Sequence, residues 1–317
     1  MTKKAPKRQP LLIANNFHPE TIALLDQEYD THKLWLLESP QQQRDLIAKL
    51  ADTCVAVATA SWTTDPLIYE LPKLKLISCF GVGVDGIDFG ITKARGIEVS
   101  NTPTVLNDAV ADLAMGLVLA TSRNLINADA HARKGDWELA PFPFGRSLTG
   151  KTLGIIGLGA IGEEIALRAL AFRMKIAYHN RSRKDLPFPY FDSIAKLAKA
   201  SDILLCMLPG GSATEKIIDK NIFEALGPDG IFINVGRGSC VDEDALIAAL
   251  SSGQIAAAGL DVYAKEPHVP YALAQLPNAV LFPHIGSATV ETRRAMGQLV
   301  VDNLGAFFDH EDLLTPI

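Results

Sequence analysis

The sequence predicts an α/β fold of two doubly wound parallel-sheet domains, and three observations carry that expectation. Short apolar runs alternate with helical stretches up to Val99, break at Asn101-Thr102-Pro103, and alternate again from Lys151 onward. A chain of 317 residues is long enough for two packed cores. Finally, KTLGIIGLGAIG, starting at Lys151, reads as an apolar strand, a glycine turn and a helix opening at Ala160, the start of a βαβ unit.

In the first half, strands are expected at residues 11–14, 33–37, 55–58, 74–78 and 97–99. Helical stretches begin near Pro19, Gln41, Pro66 and Ile87. Gly81-Val82-Gly83-Val84-Asp85-Gly86 follows the fourth strand and fits the same Gly-x-Gly-x-x-Gly expression as the turn at Gly157. Only a short amphipathic piece fits before the next strand, so residues alone make it a tight strand-to-helix turn whose N–H groups could hold a small anion. After the break, a long helix is expected from about Val105 to Asn124, apolar around most of its surface and therefore broadly covered. Residues 134–148, with Trp137, Phe142 and Phe144 among Gly135, Pro141 and Pro143, read as an irregular arm: a lid, a dimer arm or a packed surface loop.

Strands of the second unit are expected near Ile155, Ile176, Leu204, Ile233, Gly259 and Val280, with Ser212-x-x-Glu215 as a capping box opening a short helix. The last helix, about Val290 to Phe308, is expected to return to the first domain. In the glycine turn, Gly157 permits the tight bend, Gly159 lets backbone approach a pyrophosphate, and Gly162 lets helix and strand pack closely. The helix N-terminus then offers N–H groups and a positive dipole end to phosphates.

An NAD-binding unit closes its second strand with a carboxylate that grips the ribose 2′-hydroxyl. Here Lys175-Ile176-Ala177-Tyr178 runs into His179-Asn180-Arg181-Ser182-Arg183-Lys184, with no carboxylate and three cations. A carboxylate about 4 Å from a 2′-phosphate would repel each unit of its charge by ~1 kcal/mol in water and ~4 kcal/mol at an effective dielectric near 20. Arginines turn that repulsion into charge-assisted hydrogen bonds, so NADP is expected over NAD.

Composition narrows the function classes. With 48% hydrophobic and 21% charged residues and a net charge of −6, no global basic field points to nucleic acid. Lys3, Lys4, Lys7 and Arg8 among prolines read as a frayed, solvated tail in preference to a targeting or polyanion-binding arm. No apolar run reaches membrane-spanning length, and Cys54, Cys79, Cys206 and Cys240 show no metal-binding spacing. A reduced, cytoplasmic protein with no membrane or nucleic-acid partner and no metal is expected.

Ligands of open α/β sheets bind beyond the carboxyl ends of the strands. Three strands end in reactive residues: Asn234-Val235-Gly236-Arg237, then Leu260-Asp261 with Glu266 close behind, then Phe282-Pro283-His284. Singly, the histidine reads as structural, the arginine as a helix cap and the glutamate as solvated loop. Together they suit hydride reduction of a 2-oxo acid. An imidazole donates a proton near neutrality, a carboxylate beside it favours the imidazolium, and a guanidinium forks carboxylate and carbonyl oxygens.

These stretches resemble the D-isomer-specific 2-hydroxyacid dehydrogenases, and among them the NADP-preferring glyoxylate/hydroxypyruvate reductases. The matching stretches are GVGVDGID from Gly81, NTP from Asn101, GIIGLGAIG from Gly154, HNRSRK from His179, INVGRGSCVDEDAL from Ile233, AGLDVYAKEP from Ala258 and PHIGSATVETR from Pro283. The resemblance implies a discontinuous, flavodoxin-like substrate domain (1–101 and 288–317) and a Rossmann coenzyme domain (102–287), with the cleft between them and a homodimer built through the coenzyme domains. By matching motif, His284 is the acid/base, Glu266 its partner and Arg237 the substrate arginine. The backbone at Val82 and Gly83 matches the substrate-carboxylate loop, which extends the simpler reading of that turn. Coenzyme contacts are implied for Gly157, Gly159, Ala160, Ile161 and Gly162, for Asn180, Arg181, Ser182 and Arg183, and for Val235, Gly236, Arg237, Asp261, His284 and Gly286. Leu208-Pro209-Gly210-Gly211-Ser212 departs from the family's threonine-bearing loop. The expected reaction is NADPH-dependent reduction of glyoxylate and hydroxypyruvate. Alternatives are a larger 2-oxo acid such as 2-ketogluconate or phenylpyruvate, or a nucleotide-sensing, corepressor-like interaction protein.

Overall fold

The computed structural model describes residues 8–60 and 64–317. Lys3, Lys4 and Lys7 of the basic tail lie outside the described residues. The chain divides into two units, Met1–Leu106 with Thr289–Ile317, and Asn107–Ala288.

The first unit runs β1 (Pro10–Ile13), α1 (Pro19–Glu28), β2 (Asp30–Lys33), α2 (Pro40–Leu50), β3 (Ala56–Ala60), β4 (Leu76–Phe80), α3 (Phe89–Arg95) and β5 (Glu98–Ser100). Its strands form one parallel sheet in the order β2-β1-β3-β4-β5. Every residue of β3 (AVATA) and β4 (LISCF) is buried, as expected of central parallel strands covered on both faces. Local chemistry sets the helix ends: Ser39 and Gln42 form a capping box on α2, Asp88 caps α3, and Gly96 closes α3 at φ 63°. From the far end of the chain, α11 (Val290–Phe308) packs against α1 and β4. A Cβ at Gly297 would stand 1.9 Å from Thr21 Oγ1, so that helix pair requires glycine there.

The second unit opens with α4 (Asn107–Ser122) and α5 (Leu125–Arg133). It continues through β6 (Thr152–Ile156), α6 (Ala160–Ala171), β7 (Lys175–His179), α7 (Ile194–Lys199), β8 (Ile203–Cys206), α8 (Lys220–Leu226), β9 (Ile231–Asn234), α9 (Glu243–Ser251), β10 (Ala257–Leu260), α10 (Tyr271–Ala274) and β11 (Ala279–Leu281). The six strands are parallel in the order β11-β10-β9-β8-β6-β7, so the strand order reverses at β6. Period-two alternation builds two cores. Leu153, Ile155, Leu205 and Ile233 face one layer with Leu117 and Ile165, while Ile156, Leu204 and Phe232 face another with Phe223 and Leu246. Arg168 ties α6 to α4 through ion pairs with Asp108 and Asp112, and pairs with Glu164 on its own helix.

Three sequence expectations are corrected and one helix is added. The strand expected at 33–37 ends at Lys33, because the chain turns through a 3-10 segment, Leu34–Leu36, that buries Leu34 and exposes Leu36. The stretch from Pro66 is a five-residue 3-10 turn, stopped where Leu71 precedes Pro72. No helix follows Ser212: the Thr214 hydroxyl donates to the Pro209 and Gly211 carbonyls, Lys216 turns at φ 49°, and α8 begins later under an Asp219 cap. The arm holds a 3-10 turn at Asp136–Glu138 and is preceded by α5, which the sequence did not announce because it buries no residue.

Candidate active site

The glycine turn follows β6, the strand where the sheet order reverses, which is the usual ligand position in such sheets. Gly157 sits at φ 93°, and a Cβ there would come within 2.7 Å of the Met207 carbonyl oxygen. A Cβ at Gly162 would meet the Gly157 carbonyl at the same distance, so both positions demand glycine for packing. Gly159 differs: nothing lies within 4 Å of its Cβ position. As the N-cap of α6 it makes no side-chain cap to the helix's first N–H groups. That cradle fits a dinucleotide pyrophosphate.

At the end of β7, Asn180 stands where the ribose carboxylate would be. Its Oδ1 accepts from the Leu158 N–H at 2.7 Å and its Nδ2 donates to the Leu158 carbonyl at 3.2 Å, so it braces the glycine turn. Arg181, Ser182 and Arg183 are exposed, and among the described residues no ion pair engages either arginine. Lys184 is the exception among the three cations, with Nζ 2.6 Å from Glu163 Oε1.

The reactive residues of the second unit converge. His284 Nδ1 lies 2.6 Å from Glu266 Oε2, and Glu266 Oε1 accepts from the Tyr263 N–H at 3.0 Å. Burial raises the Glu266 carboxyl's pKa, but the His284 hydrogen bond and charge, the Tyr263 N–H and the Arg237 charge outweigh it, holding the group below its ordinary value. Arg237 is therefore near enough to act on Glu266 electrostatically. Asn234 sets its loop by accepting from the Gly236 N–H at 3.1 Å and donating to the Arg237 carbonyl at 3.0 Å. Gly238 brings this loop against the one bearing Glu266, since a Cβ there would stand 1.9 Å from the Tyr263 carbonyl carbon.

Asp261 is 2% exposed and its two oxygens accept from Ile285 and Gly286 N–H groups, each at 2.8 Å. Its main-chain carbonyl accepts from the His284 N–H at 2.9 Å, so Asp261 shapes the turn in which His284 takes φ 53°. Burial raises its pKa, against the pull of those two N–H groups and the His284 charge. Sequence reasoning missed Asn234, Gly238 and Tyr263 as positioning residues. The glycine after Arg237 was the one available signal, and nothing marked Tyr263.

In the first unit, β4 is followed by Gly81 at φ 138°. Thr102 and Asn101 hold the loop: Gly81 N–H donates to Thr102 Oγ1 at 3.0 Å, Thr102 N–H to the Gly81 carbonyl at 3.1 Å, and Asn101 Nδ2 to the Val82 carbonyl at 2.9 Å.

The family model of the D-isomer specific 2-hydroxyacid dehydrogenase NAD binding domain matches residues 115–286, more than half of the chain. The chain belongs to the D-isomer-specific 2-hydroxyacid dehydrogenases. It is 45% identical over 295 residues to a glyoxylate/hydroxypyruvate reductase of Arabidopsis thaliana, covering 92% of this chain and 94% of that one. It is also 45% identical over 264 residues to a 2-ketogluconate reductase of Gluconobacter oxydans, with 83% and 85% covered. The fold is similar to that of an NADPH-dependent glyoxylate/hydroxypyruvate reductase of Sinorhizobium meliloti solved with NADP and malonate, at TM-score 0.90 and 42% identity over 98% of this chain and 97% of that one. This 2-hydroxyacid dehydrogenase is thus an oxidoreductase with an NAD(P)-binding domain, and the glycine turn and the Arg237, Glu266 and His284 group all lie in that domain's unit.

Proposed function

We propose that this dehydrogenase reduces small 2-oxo acids, glyoxylate and hydroxypyruvate, to 2-hydroxy acids with NADPH. One observation carries the reading: a histidine paired at 2.6 Å with a carboxylate held below its ordinary pKa, beside an arginine, on the strand ends of the sheet that bears the glycine turn. When bound, the coenzyme would supply the hydride that the carbonyl carbon receives. With Nδ1 committed to Glu266, His284 Nε2 carries the proton that passes to the developing alkoxide. Arg237 binds the substrate's oxygens and stabilises the charge on the oxyanion. The Val82 and Gly83 N–H groups take the substrate carboxylate.

On the coenzyme side, Gly157, Gly159, Ala160, Ile161 and Gly162 receive the pyrophosphate. Asn180, Arg181, Ser182 and Arg183 receive the 2′-phosphate, and Val235, Gly236, Asp261 and Gly286 border the nicotinamide. The absence of a ribose carboxylate and two exposed arginines with no ion pair among the described residues support NADPH over NADH. The exposed apolar side chains of the arm, Trp137, Leu139 and Phe144, together with an α5 that buries nothing, support a homodimer through this unit. Light scattering that returns a monomer would remove that part. Four buried free cysteines suit a reducing cytoplasm, and recovery in a secreted fraction would contradict it.

The test is an initial-rate panel of glyoxylate, hydroxypyruvate, pyruvate, phenylpyruvate and 2-ketogluconate with both coenzymes. Glyoxylate and hydroxypyruvate are expected to give the highest kcat/KM with NADPH. A preference for NADH overturns the coenzyme assignment. A higher value for 2-ketogluconate or phenylpyruvate moves the substrate to the larger acids, a second reading favoured by the likeness to reductases of 2-ketogluconate and hydroxyphenylpyruvate.

A further inference from the structure

We propose that Asn101 and Thr102 are positioning residues that aim the Val82 and Gly83 N–H groups at the substrate carboxylate, and that the C-terminal tail braces them. The proposal rests on the reading of that loop as the carboxylate site. Its argument begins with the planarity of the trans peptide, in which a carbonyl and the following N–H point in opposite directions. The Gly81 carbonyl is taken by the Thr102 N–H, so the Val82 N–H points away from Thr102. The Val82 carbonyl is taken by Asn101 Nδ2, so the Gly83 N–H points away from Asn101. Two successive N–H groups are thereby turned off the same supporting segment, and among the described residues no hydrogen bond accepts from either. Successive backbone N–H groups left free in this way are the dipoles from which anion-binding concavities are made.

The segment doing the aiming is itself held from the chain's end. Thr102 is fully buried, and its hydroxyl also fixes the Gly81 N–H. The Asn101 carbonyl accepts from Thr315 Oγ1 at 2.6 Å, and the Asn101 N–H donates to the Thr315 carbonyl at 3.3 Å. Thr315 is gripped in turn by Asn303, a fully buried residue of α11: Nδ2 donates to the hydroxyl at 2.9 Å and Oδ1 accepts from the Thr315 N–H at 3.1 Å. Beyond it the tail lies antiparallel to β5, the outer strand of the sheet, with the Ile317 N–H donating to the Val99 carbonyl at 2.9 Å. A relay therefore runs from Asn303 through Thr315 and Asn101 to Val82, and none of the first three needs to touch substrate.

The test compares Asn101→Asp, Thr102→Val, Thr102→Ser and Thr315→Val in the full-length protein. Asn101→Asp removes the donor to Val82, and Thr102→Val removes the hydroxyl while keeping the shape. Both are expected to raise the KM for glyoxylate roughly 10- to 100-fold, the worth of a lost hydrogen bond to a charged group, with kcat and the KM for NADPH little changed. Thr102→Ser restores the wild-type KM. Thr315→Val, which touches Asn101 but not the loop itself, shifts KM in the same direction by a smaller factor. Independently of turnover, titration of 15N-labelled protein with oxalate is expected to move the Val82 and Gly83 amide signals in wild type and Thr102→Ser, and far less in Asn101→Asp. Unmoved amides at saturating oxalate, or an unaltered glyoxylate KM in folded Asn101→Asp and Thr315→Val, overturns the proposal. Moving amides in a protein that reduces no 2-oxo acid would leave the positioning role standing and remove the proposed function instead.

Discussion

Two loops of this chain share the spacing Gly-x-Gly-x-x-Gly, and they are built to different ends. After Gly157 the helix starts within three residues, its N-cap is glycine, and no side chain occupies its first N–H groups. After Gly81 the helix waits until Phe89 and is already capped, with Asp88 Oδ1 accepting from the Ile91 N–H at 3.0 Å. One loop thus offers a helix terminus to a phosphate, while the other presents individual peptide dipoles set by Asn101 and Thr102. The difference extends to the strand ends around them. In the second unit those ends carry Arg237, Asp261 and His284, with the His284 N–H donating to the Asp261 carbonyl and Asn234 fixing the Arg237 loop. Around the Gly81 loop of the first unit the supporting side chains, Asn101 and Thr102, are neutral. Under the proposed function, proton chemistry belongs to one unit and recognition by backbone to the other.

The largest effect that could break this contrast comes from His284→Ala, expected to lower kcat by roughly 10²–10⁴. Turnover near wild type would return proton transfer to some other group. Next is Gly238→Ala, where a methyl must displace the Tyr263 backbone and part the Arg237 and Glu266 loops. A misplacement of about 1 Å is expected to cost on the order of 10² in kcat/KM, checked by steady-state kinetics beside a crystal structure of the variant. Arg181→Ala combined with Arg183→Ala sharpens the coenzyme side: the KM for NADPH should rise roughly 10- to 100-fold and that for NADH hold steady. An equal loss for both coenzymes would make the arginines structural.

The smallest effect is on stability against pH. Because the Glu266 carboxyl titrates below its ordinary value when folded, its pairing contributes stability that is complete above an unfolded pKa of about 4.3. That contribution is lost as pH falls through the lower folded value. The difference in Tm between wild type and Glu266→Gln should therefore be constant near neutrality and shrink below about pH 4. A gap that widens in acid would mean the carboxyl is not favoured in its ionised form.

What was readable beforehand shows in particular residues. The glycine turn, the strand ends at Arg237 and His284 and the cofactor-side cations are local patterns, because strand, turn and helix each impose their residue types over a few positions. The run Leu34-Trp35-Leu36 was not readable as a 3-10 turn, since three apolar residues suit a strand equally well until burial chooses between them. Ser212-x-x-Glu215 had the letters of a capping box, and the Thr214 hydroxyl took the local carbonyls first.

The sequence alone determined the two alternating α/β units and the family, and it named the groups proposed to move a proton or hold a phosphate. Only the tertiary structure decided how those groups are oriented. Glu266 reaches Nδ1 of His284 across eighteen residues of chain, Asp261 spends both oxygens on the backbone after His284, and Thr315 steadies Asn101 from the other end of the molecule. Residue type is written position by position, but the direction of a peptide dipole or the tautomer favoured on a ring depends on partners that packing alone brings within three ångströms.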